Sequence, residues 1–118
     1  MAGRLTTHVL DTASGRPAAG IRIQAFRLDA AARELLAELT TNADGRCDGP
    51  VLEGASFTAG HYELVFHVAD YFRAIGMDLP EPAFLDSVPI RFGIAEPGQH
   101  YHVPLLISPY GYSTYRGS

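Results

Sequence analysis

Short segments in which polar and apolar residues alternate recur along this chain of 118 residues. Residues 5–11 (LTTHVLD), 21–28 (IRIQAFRL) and 61–68 (HYELVFHV) all follow a period of two. That period is typical of a β-strand with one buried face. Turn-forming residues follow the first segment, in TASGRPAAG at 12–20, and recur in NADGR at 42–46, so the strands are expected to be short.

Four more segments are predicted to be strands. Residues 88–94 (VPIRFGI), 100–108 (HYHVPLLIS) and 110–117 (YGYSTYRG) are rich in β-branched and aromatic residues. In 34–41 (ELLAELTT) the composition favours a helix, but the turn signal that follows and the surrounding strands favour a strand. Pro104 predicts an edge or a bulge, because proline has no N–H for a sheet ladder.

One segment has the period of a helix. Apolar residues recur there at Val68, Tyr71, Phe72 and Ile75. They would share one face of a short helix, and Gly76 is positioned to cap its end. Seven to eight short strands with one short helix predict a mainly β fold, a two-sheet antiparallel β-sandwich. The length predicts a single domain over residues 1–118.

The composition excludes several classes of function. The net charge of −4 and a pI near 5.6 argue against nucleic acid or an anionic membrane as a general partner. All nine basic residues are arginine, which excludes lysine chemistry and suits forked recognition of carbonyl or carboxylate groups. A single cysteine, no apolar leader and no stretch long enough to span a membrane predict a cytoplasmic protein.

Histidines on the predicted strands are the main candidates for chemistry. His8 falls on the face opposite Leu5 and Val9, so it is expected to point outward. A solvated polar residue is the plainer interpretation, and a base in a pocket formed with another subunit is the functional one. His100 and His102 share a strand face; they are either part of a polar outer face or two ligands of a zinc ion that needs a third.

Arg46, Cys47 and the last strand each have a plain interpretation as well. Arg46 follows the Asp44–Gly45 turn, where an arginine is usually solvated. The sequence shows nothing that would lower the pKa of Cys47, so an incidental thiol is favoured over a nucleophile. Taken alone, residues 110–117 are an aromatic edge strand.

The two ends of the chain carry the most specific pattern. LTTHVLDTASGRPAAGI at 5–21 and HYHVPLLISPYGYSTYRGS at 100–118 together resemble the 5-hydroxyisourate hydrolases, the enzymatic branch of the transthyretin family. The terminal YRGS is the most specific part. Hormone-carrying transthyretins share SPYGYST but lack this tetrapeptide and the histidines that correspond to His8 and His102. The resemblance covers essentially the whole chain.

The resemblance implies a transthyretin-like sandwich that assembles as a homotetramer, a dimer of dimers with a central channel. It implies hydrolysis of 5-hydroxyisourate, the product of urate oxidase, to 2-oxo-4-hydroxy-4-carboxy-5-ureidoimidazoline, without a cofactor or metal. The family's catalytic residues correspond to His8, Arg46, His102 and Ser118, and its substrate-binding residues to Tyr115, Arg116 and Gly117.

This reaction suits the residue types. Opening a cyclic ureide requires water to attack a deactivated carbonyl, and a neutral imidazole is a suitable base near pH 7. Guanidinium groups would stabilise the developing oxyanion and match a flat ring that carries carbonyl groups. Two alternatives stay open at this point: a carrier that uses the same channel without turnover, and a zinc hydrolase that uses His8, His100 and His102.

Overall fold

The computed structural model describes residues 3–118. Within that range the chain forms nine strands, one α-helix and a single turn of 3-10 helix at Gly54–Ser56. In chain order the elements are β1 (Arg4–Asp11), β2 (Arg16–Pro17), β3 (Arg22–Leu28), β4 (Arg33–Thr40), β5 (Leu52–Glu53), β6 (Gly60–Phe66), α1 (Val68–Ala74), β7 (Val88–Ile94), β8 (His100–Ser108) and β9 (Gly111–Thr114).

The strands form two sheets, which confirms the predicted mainly β, two-sheet architecture. One sheet has the order β2-β1-β8-β9 with β5 also paired to β1, and the other has the order β4-β3-β6-β7. The count exceeds seven to eight because β2 and β5 have two residues each, too few to show a period. The segment at 34–41 is a strand as predicted, β4.

The pair β1–β8 is parallel, which makes the first sheet mixed rather than purely antiparallel. Its register places Thr6 opposite His102 and His8 opposite Pro104. Alternation predicts which face of a strand is buried but not the direction of its neighbour, because the side-chain period is the same in both cases.

The core fills the space between the two sheets. Leu5 and Val9 of β1 belong to this core together with Leu64 and Phe66 of β6, and all four side chains are fully buried. The opposite face of β1 carries residues 6, 8 and 10, which stay half-buried. The predicted faces of β1 are therefore correct, and the polar outer face of the first sheet is left available for a site.

The helix α1 is shorter than predicted. Tyr71 and Phe72 are buried as expected, but Ile75 is 51% exposed because the helix ends at Ala74. Gly76, at φ +92°, ends it in a Schellman motif in which the N–H of Met77 donates to the carbonyl of Phe72 over 3.0 Å. No helix in residues 3–118 is long and apolar enough to cross a membrane.

Pro104 interrupts a ladder inside the sheet rather than at its edge. Strand β8 lies between β1 and β9, so of the two positions predicted for Pro104, an edge or a bulge, the edge is wrong. Leu105 pairs with Thr114, and pairing then stops until His102 meets Gly117. The missing N–H of Pro104 falls in this gap, and its carbonyl accepts a hydrogen bond from the Thr114 hydroxyl over 2.7 Å.

Candidate active site

The parallel register of β1 and β8 brings three polar side chains together on the outer face of the first sheet. The hydroxyl oxygen of Thr6 lies 2.6 Å from Nε2 of His100 and 2.8 Å from Nδ1 of His102. All three residues are half-buried. One hydroxyl group thus bridges two imidazole rings whose centroids are 6.1 Å apart.

The turn at 42–46 places Arg46 beside β1. The side-chain oxygen of Asn42 accepts the backbone N–H of Asp44 over 2.9 Å and that of Arg46 over 3.2 Å, which is the geometry of an Asx turn. The carbonyl of Gly45 then accepts the N–H of Val9 over 2.8 Å. These contacts hold the turn against β1, where Arg46 and His8 form an isolated antiparallel β-bridge.

His8 is oriented by this docked turn. Its Nε2 lies 2.9 Å from the carbonyl oxygen of Asp44. Because a carbonyl only accepts, Nε2 of His8 must carry a proton, and the lone pair of the neutral ring is on Nδ1. The predicted outward orientation of His8 is correct, and its ring is held rather than freely solvated.

The C-terminal segment returns to β8 after β9 ends. The N–H of Gly117 donates to the carbonyl of His102 over 2.8 Å. A methyl group at Gly117 would lie 2.5 Å from Cδ2 of the His102 ring, so this position accepts only glycine without a shift. Ser118 follows directly and lines the same cavity as His102.

That cavity has a volume of about 410 Å³. Its lining residues are Arg4, Thr6, Thr7, Arg46, Cys47, Gly49, Pro50, His100, His102 and Ser118. Among residues 3–118, neither Arg4 nor Arg46 has a carboxylate oxygen within 4.0 Å, so both guanidinium groups contribute uncompensated positive charge. The cavity combines imidazoles with cationic donors, which suits an electron-rich ring that carries carbonyl oxygens.

The two imidazoles of β8 are held in their neutral form. Burial lowers the pKa of His102, and the nearby His100, Arg46 and His8 lower it further. Burial also lowers the pKa of His100, with added effects from Arg4 and Arg116. Since an ordinary histidine already titrates near 6.5, these lowered pKa values favour the neutral form of both rings at pH 7. A neutral imidazole is the form that accepts a proton from water.

Cys47 lines the cavity, but its thiol is in an environment that disfavours the reactive thiolate. Burial raises the pKa of its thiol, and the neighbouring carboxylate of Asp48 raises it further. A protonated thiol is a poor nucleophile. This environment supports the interpretation of Cys47 as an incidental thiol.

Tyr115 and Arg116 lie outside the cavity. Arg116 donates to the side-chain oxygen of Gln99 over 3.2 Å and to the carbonyl of His100 over 3.3 Å, and its guanidinium stacks on the Tyr101 ring at 4.1 Å from the centroid. Tyr115 is 60% exposed. Both line a separate hollow of about 250 Å³ between β7 and β9. The structure thus brings together Arg46, His102, Gly117 and Ser118, with His8 adjacent.

Sequence reasoning did not single out Arg4 and Thr6, and it gave His100 a role only in the zinc alternative. Arg4 pairs with His100, and Thr6 with His102, across the β1–β8 ladder. The alternation of β1 predicts that Thr6 shares the outer face with His8, which was the one available signal. The pairing with β8 joins residues more than ninety positions apart and has no local signature.

The three histidines of the zinc alternative do not form a ligand group. Within the described range, 3–118, no three His, Cys, Asp or Glu side chains come together as a metal site. The Thr6 hydroxyl occupies the position between His100 and His102, and His8 is turned to the Asp44 carbonyl.

A larger hollow of about 700 Å³ lies on the other sheet, lined in part by Arg33, Tyr62 and Arg91. We favour the smaller cavity as the site, because both arginines of the larger one are already engaged by a carboxylate. Arg33 and Arg91 lie 3.3 and 3.4 Å from the buried carboxylate of Glu63. None of the candidate site residues lines this hollow.

Comparison with known proteins agrees with the geometry. The profile of the HIUase/Transthyretin family matches residues 5–117. The chain belongs to this family. A 5-hydroxyisourate hydrolase 2 of Rhizobium meliloti is 66% identical over 116 residues, a match that covers 98% of this chain and 97% of that protein. The predicted resemblance is confirmed.

Solved structures are also similar to this chain in fold and sequence. The 5-hydroxyisourate hydrolase of Klebsiella pneumoniae is 37% identical, with a TM-score of 0.82, and the match covers 98% of this chain and 99% of that one. An (S)-allantoin synthase is 49% identical with a TM-score of 0.93. That match covers 99% of this chain but 44% of the synthase, so the chain spans less than half of that protein.

Proposed function

We propose that this protein hydrolyses 5-hydroxyisourate to 2-oxo-4-hydroxy-4-carboxy-5-ureidoimidazoline in urate breakdown. The observation that carries the proposal is the cavity in which the neutral ring of His102 lies with the uncompensated guanidinium of Arg46. Relatives that align over nearly their whole length are named as hydrolases of this substrate, which supports the same reaction here.

In the proposed mechanism His102 is the base. Its Nδ1 is engaged by Thr6, whereas its Nε2 has no hydrogen-bond partner within residues 3–118. Nε2 would accept a proton from water as the oxygen attacks a ring carbonyl. The ring C–N bond of the tetrahedral intermediate would then break, and the proton held by His102 would pass to the departing nitrogen. Arg46 would stabilise the negative charge on the carbonyl oxygen, and His8 and Ser118 would orient the water and the opening ring.

The substrate-binding roles of Tyr115, Arg116 and Gly117 are part of the same proposal. Gly117 supports this assignment by its contact with the His102 ring. Arg116 is stacked on Tyr101, so a contact between its guanidinium and a ligand in the cavity requires it to leave that ring. Tyr115 is 60% exposed and so is accessible to a ligand.

We also propose the homotetramer and the cytoplasmic location. Strands β7 and β9 each end a sheet, and such free edges pair readily with another chain. Exposed Tyr112 and Tyr115 lie along and just beyond β9 and would be covered by a second copy. Light scattering coupled to gel filtration tests the tetramer. The single free cysteine suits a reducing compartment.

The deciding experiment is a spectrophotometric assay on freshly generated 5-hydroxyisourate. We expect the protein to accelerate its decay and to yield one product enantiomer, and His102→Ala and His8→Ala each to lose about 10²- to 10⁴-fold in kcat. Ligand binding without turnover would instead establish the carrier alternative. A loss below about threefold in either variant would remove that histidine from the mechanism.

A further inference from the structure

The bridge formed by Thr6 restricts where protons can be. A hydroxyl group has one hydrogen and two lone pairs. At 2.6 Å from Nε2 of His100 and 2.8 Å from Nδ1 of His102, its oxygen is within hydrogen-bond distance of both rings. Thr6 can donate to only one of them, so at least one ring nitrogen must donate to Thr6. The tautomers of the two histidines are therefore coupled.

The direction of the Thr6 hydrogen bonds determines whether Nε2 of His102, the nitrogen that does not contact Thr6, carries a proton. If Thr6 donates to His100, then Nδ1 of His102 carries the proton and its Nε2 is a free lone pair. If Thr6 donates to His102, then Nε2 of His102 carries the proton, and this nitrogen cannot act as a base. Thr6 can also accept from both rings, and this arrangement again leaves Nε2 of His102 unprotonated.

The charges around the two rings favour neutral rings with Nε2 of His102 unprotonated. Arg46 lines the same cavity as His102, and its positive charge favours a lone pair over another N–H on a nitrogen of His102 that faces the cavity. Arg4 and Arg116 act on His100 and oppose a second proton on that ring. These arginines favour neutral forms of both rings, and the neutral arrangement in which Thr6 donates to Nε2 of His100 is one that leaves Nε2 of His102 free.

We propose that Thr6 and His100 are positioning residues for His102: the Thr6 hydroxyl, anchored on His100, holds His102 as its Nδ1–H tautomer and keeps Nε2 free for water. The inference rests on the proposed function for its catalytic consequence. When Nε2 takes the proton, the chain from Nδ1 through Thr6 to His100 also orients the charged ring and delocalises its charge.

The test combines a tautomer measurement with kinetics. Long-range ¹H–¹⁵N correlation spectra, assigned with His102→Asn, report which ring nitrogen of His102 carries the proton. Thr6→Val removes the hydroxyl at nearly constant shape, Thr6→Ser retains it, and His100→Phe removes the anchor. Thr12→Val is the matched control, because the Thr12 hydroxyl donates to the Ile107 carbonyl over 3.0 Å at the far end of the same strand pair.

We expect the wild-type spectrum to show His102 protonated at Nδ1 above its pKa, and Thr6→Val and His100→Phe to show a mixture of tautomers. Loss of the partner that orients a metal-bound histidine typically costs about 10- to 100-fold, and we expect a loss of this size in kcat for Thr6→Val with little change in KM. Thr6→Ser should restore both signals, and Thr12→Val should change neither.

The two proposals fail in different ways. A wild-type protein without turnover would refute the proposed function, and the spectra would still test the proton arrangement. An Nε2–H tautomer in the wild-type protein would overturn the positioning role, as would an unchanged tautomer in Thr6→Val. If Thr6→Val does not fold, the wild-type and Thr6→Ser spectra decide the question alone.

Discussion

Gly117 donates its backbone N–H to the carbonyl of His102 over 2.8 Å, and the same glycine leaves no room for a Cβ beside the His102 ring. The C-terminal segment therefore lies against both the backbone and the ring of the proposed base. Because a Cβ at this position would lie 2.5 Å from Cδ2 of the ring, the glycine is part of what determines the ring position.

Gly117→Ala is expected to lower kcat/KM by about 10²-fold, because a displacement of about 1 Å at a reacting group costs that much. The melting temperature should change little, since the segment is at the surface. The matched control is Gly111→Ala on β9, where a new methyl group would meet its nearest atom at an ordinary 3.7 Å. Equal activities of the two variants would show that the ring of His102 does not depend on Gly117.

The pH dependence of kcat is the second prediction. His102 must be neutral to accept a proton, so activity is lost as pH falls through its pKa. Burial first, and then His100, Arg46 and His8, lower that pKa below the ordinary 6.5. We expect a single rise in rate with its midpoint below that value.

Arg46→Gln should move this midpoint upward, because the variant removes a positive charge that opposes the imidazolium form. Arg73→Gln, on the distant helix, is the control and should leave the midpoint in place. Profiles measured from pH 5 to 9 that are flat for the wild type would exclude an imidazole base with this environment.

The site shows which features of a chain can be predicted from its sequence. The outer face of β1 and the cap at Gly76 follow from local periods and backbone preferences, and both predictions are confirmed. The bridge from Thr6 to His102 depends on a parallel register between distant strands, which no local pattern encodes. The position of Arg116 depends on a stacking contact with Tyr101. This contact also forms only in the folded chain and has no local sequence signal.

Cys47→Ala is expected to retain activity within about twofold and to bind substrate normally. The thiol is kept protonated by burial and by Asp48, so it is a weak nucleophile at pH 7. Iodoacetamide should react slowly with the native protein, as measured by intact mass. If Cys47→Ala were inactive while still folded, the thiol would have a chemical role.

A second measurement on the same protein concerns metals. Prolonged dialysis against a chelator should leave kcat unchanged, because the proposed mechanism places water activation on His102 alone. Activity that is lost on chelation and restored by zinc would contradict that assignment. Metal analysis of the purified protein before and after dialysis is the control.

The final prediction concerns residues 115–118, whose deletion should abolish hydrolysis while the sandwich stays folded. Tyr115, Arg116 and Ser118 are exposed, and the fully buried core residues belong to earlier segments, so the deletion removes little buried apolar surface. It does remove the Gly117 contact with His102 and the Ser118 wall of the cavity.

Point variants separate the contributions within this segment. If Arg116 stabilises negative charge on the opening ring, Arg116→Lys should lower kcat by about 10²- to 10³-fold, since an ammonium does not reproduce the planar fork. Arg73→Lys is the matched control, because Arg73 likewise donates to a backbone carbonyl, that of Pro80 over 2.9 Å, but far from the cavity. Activity, oligomer size and melting temperature should be measured together. A truncated protein that keeps its activity would refute the role of this segment, whereas one that unfolds or dissociates would assign it to stability rather than to catalysis.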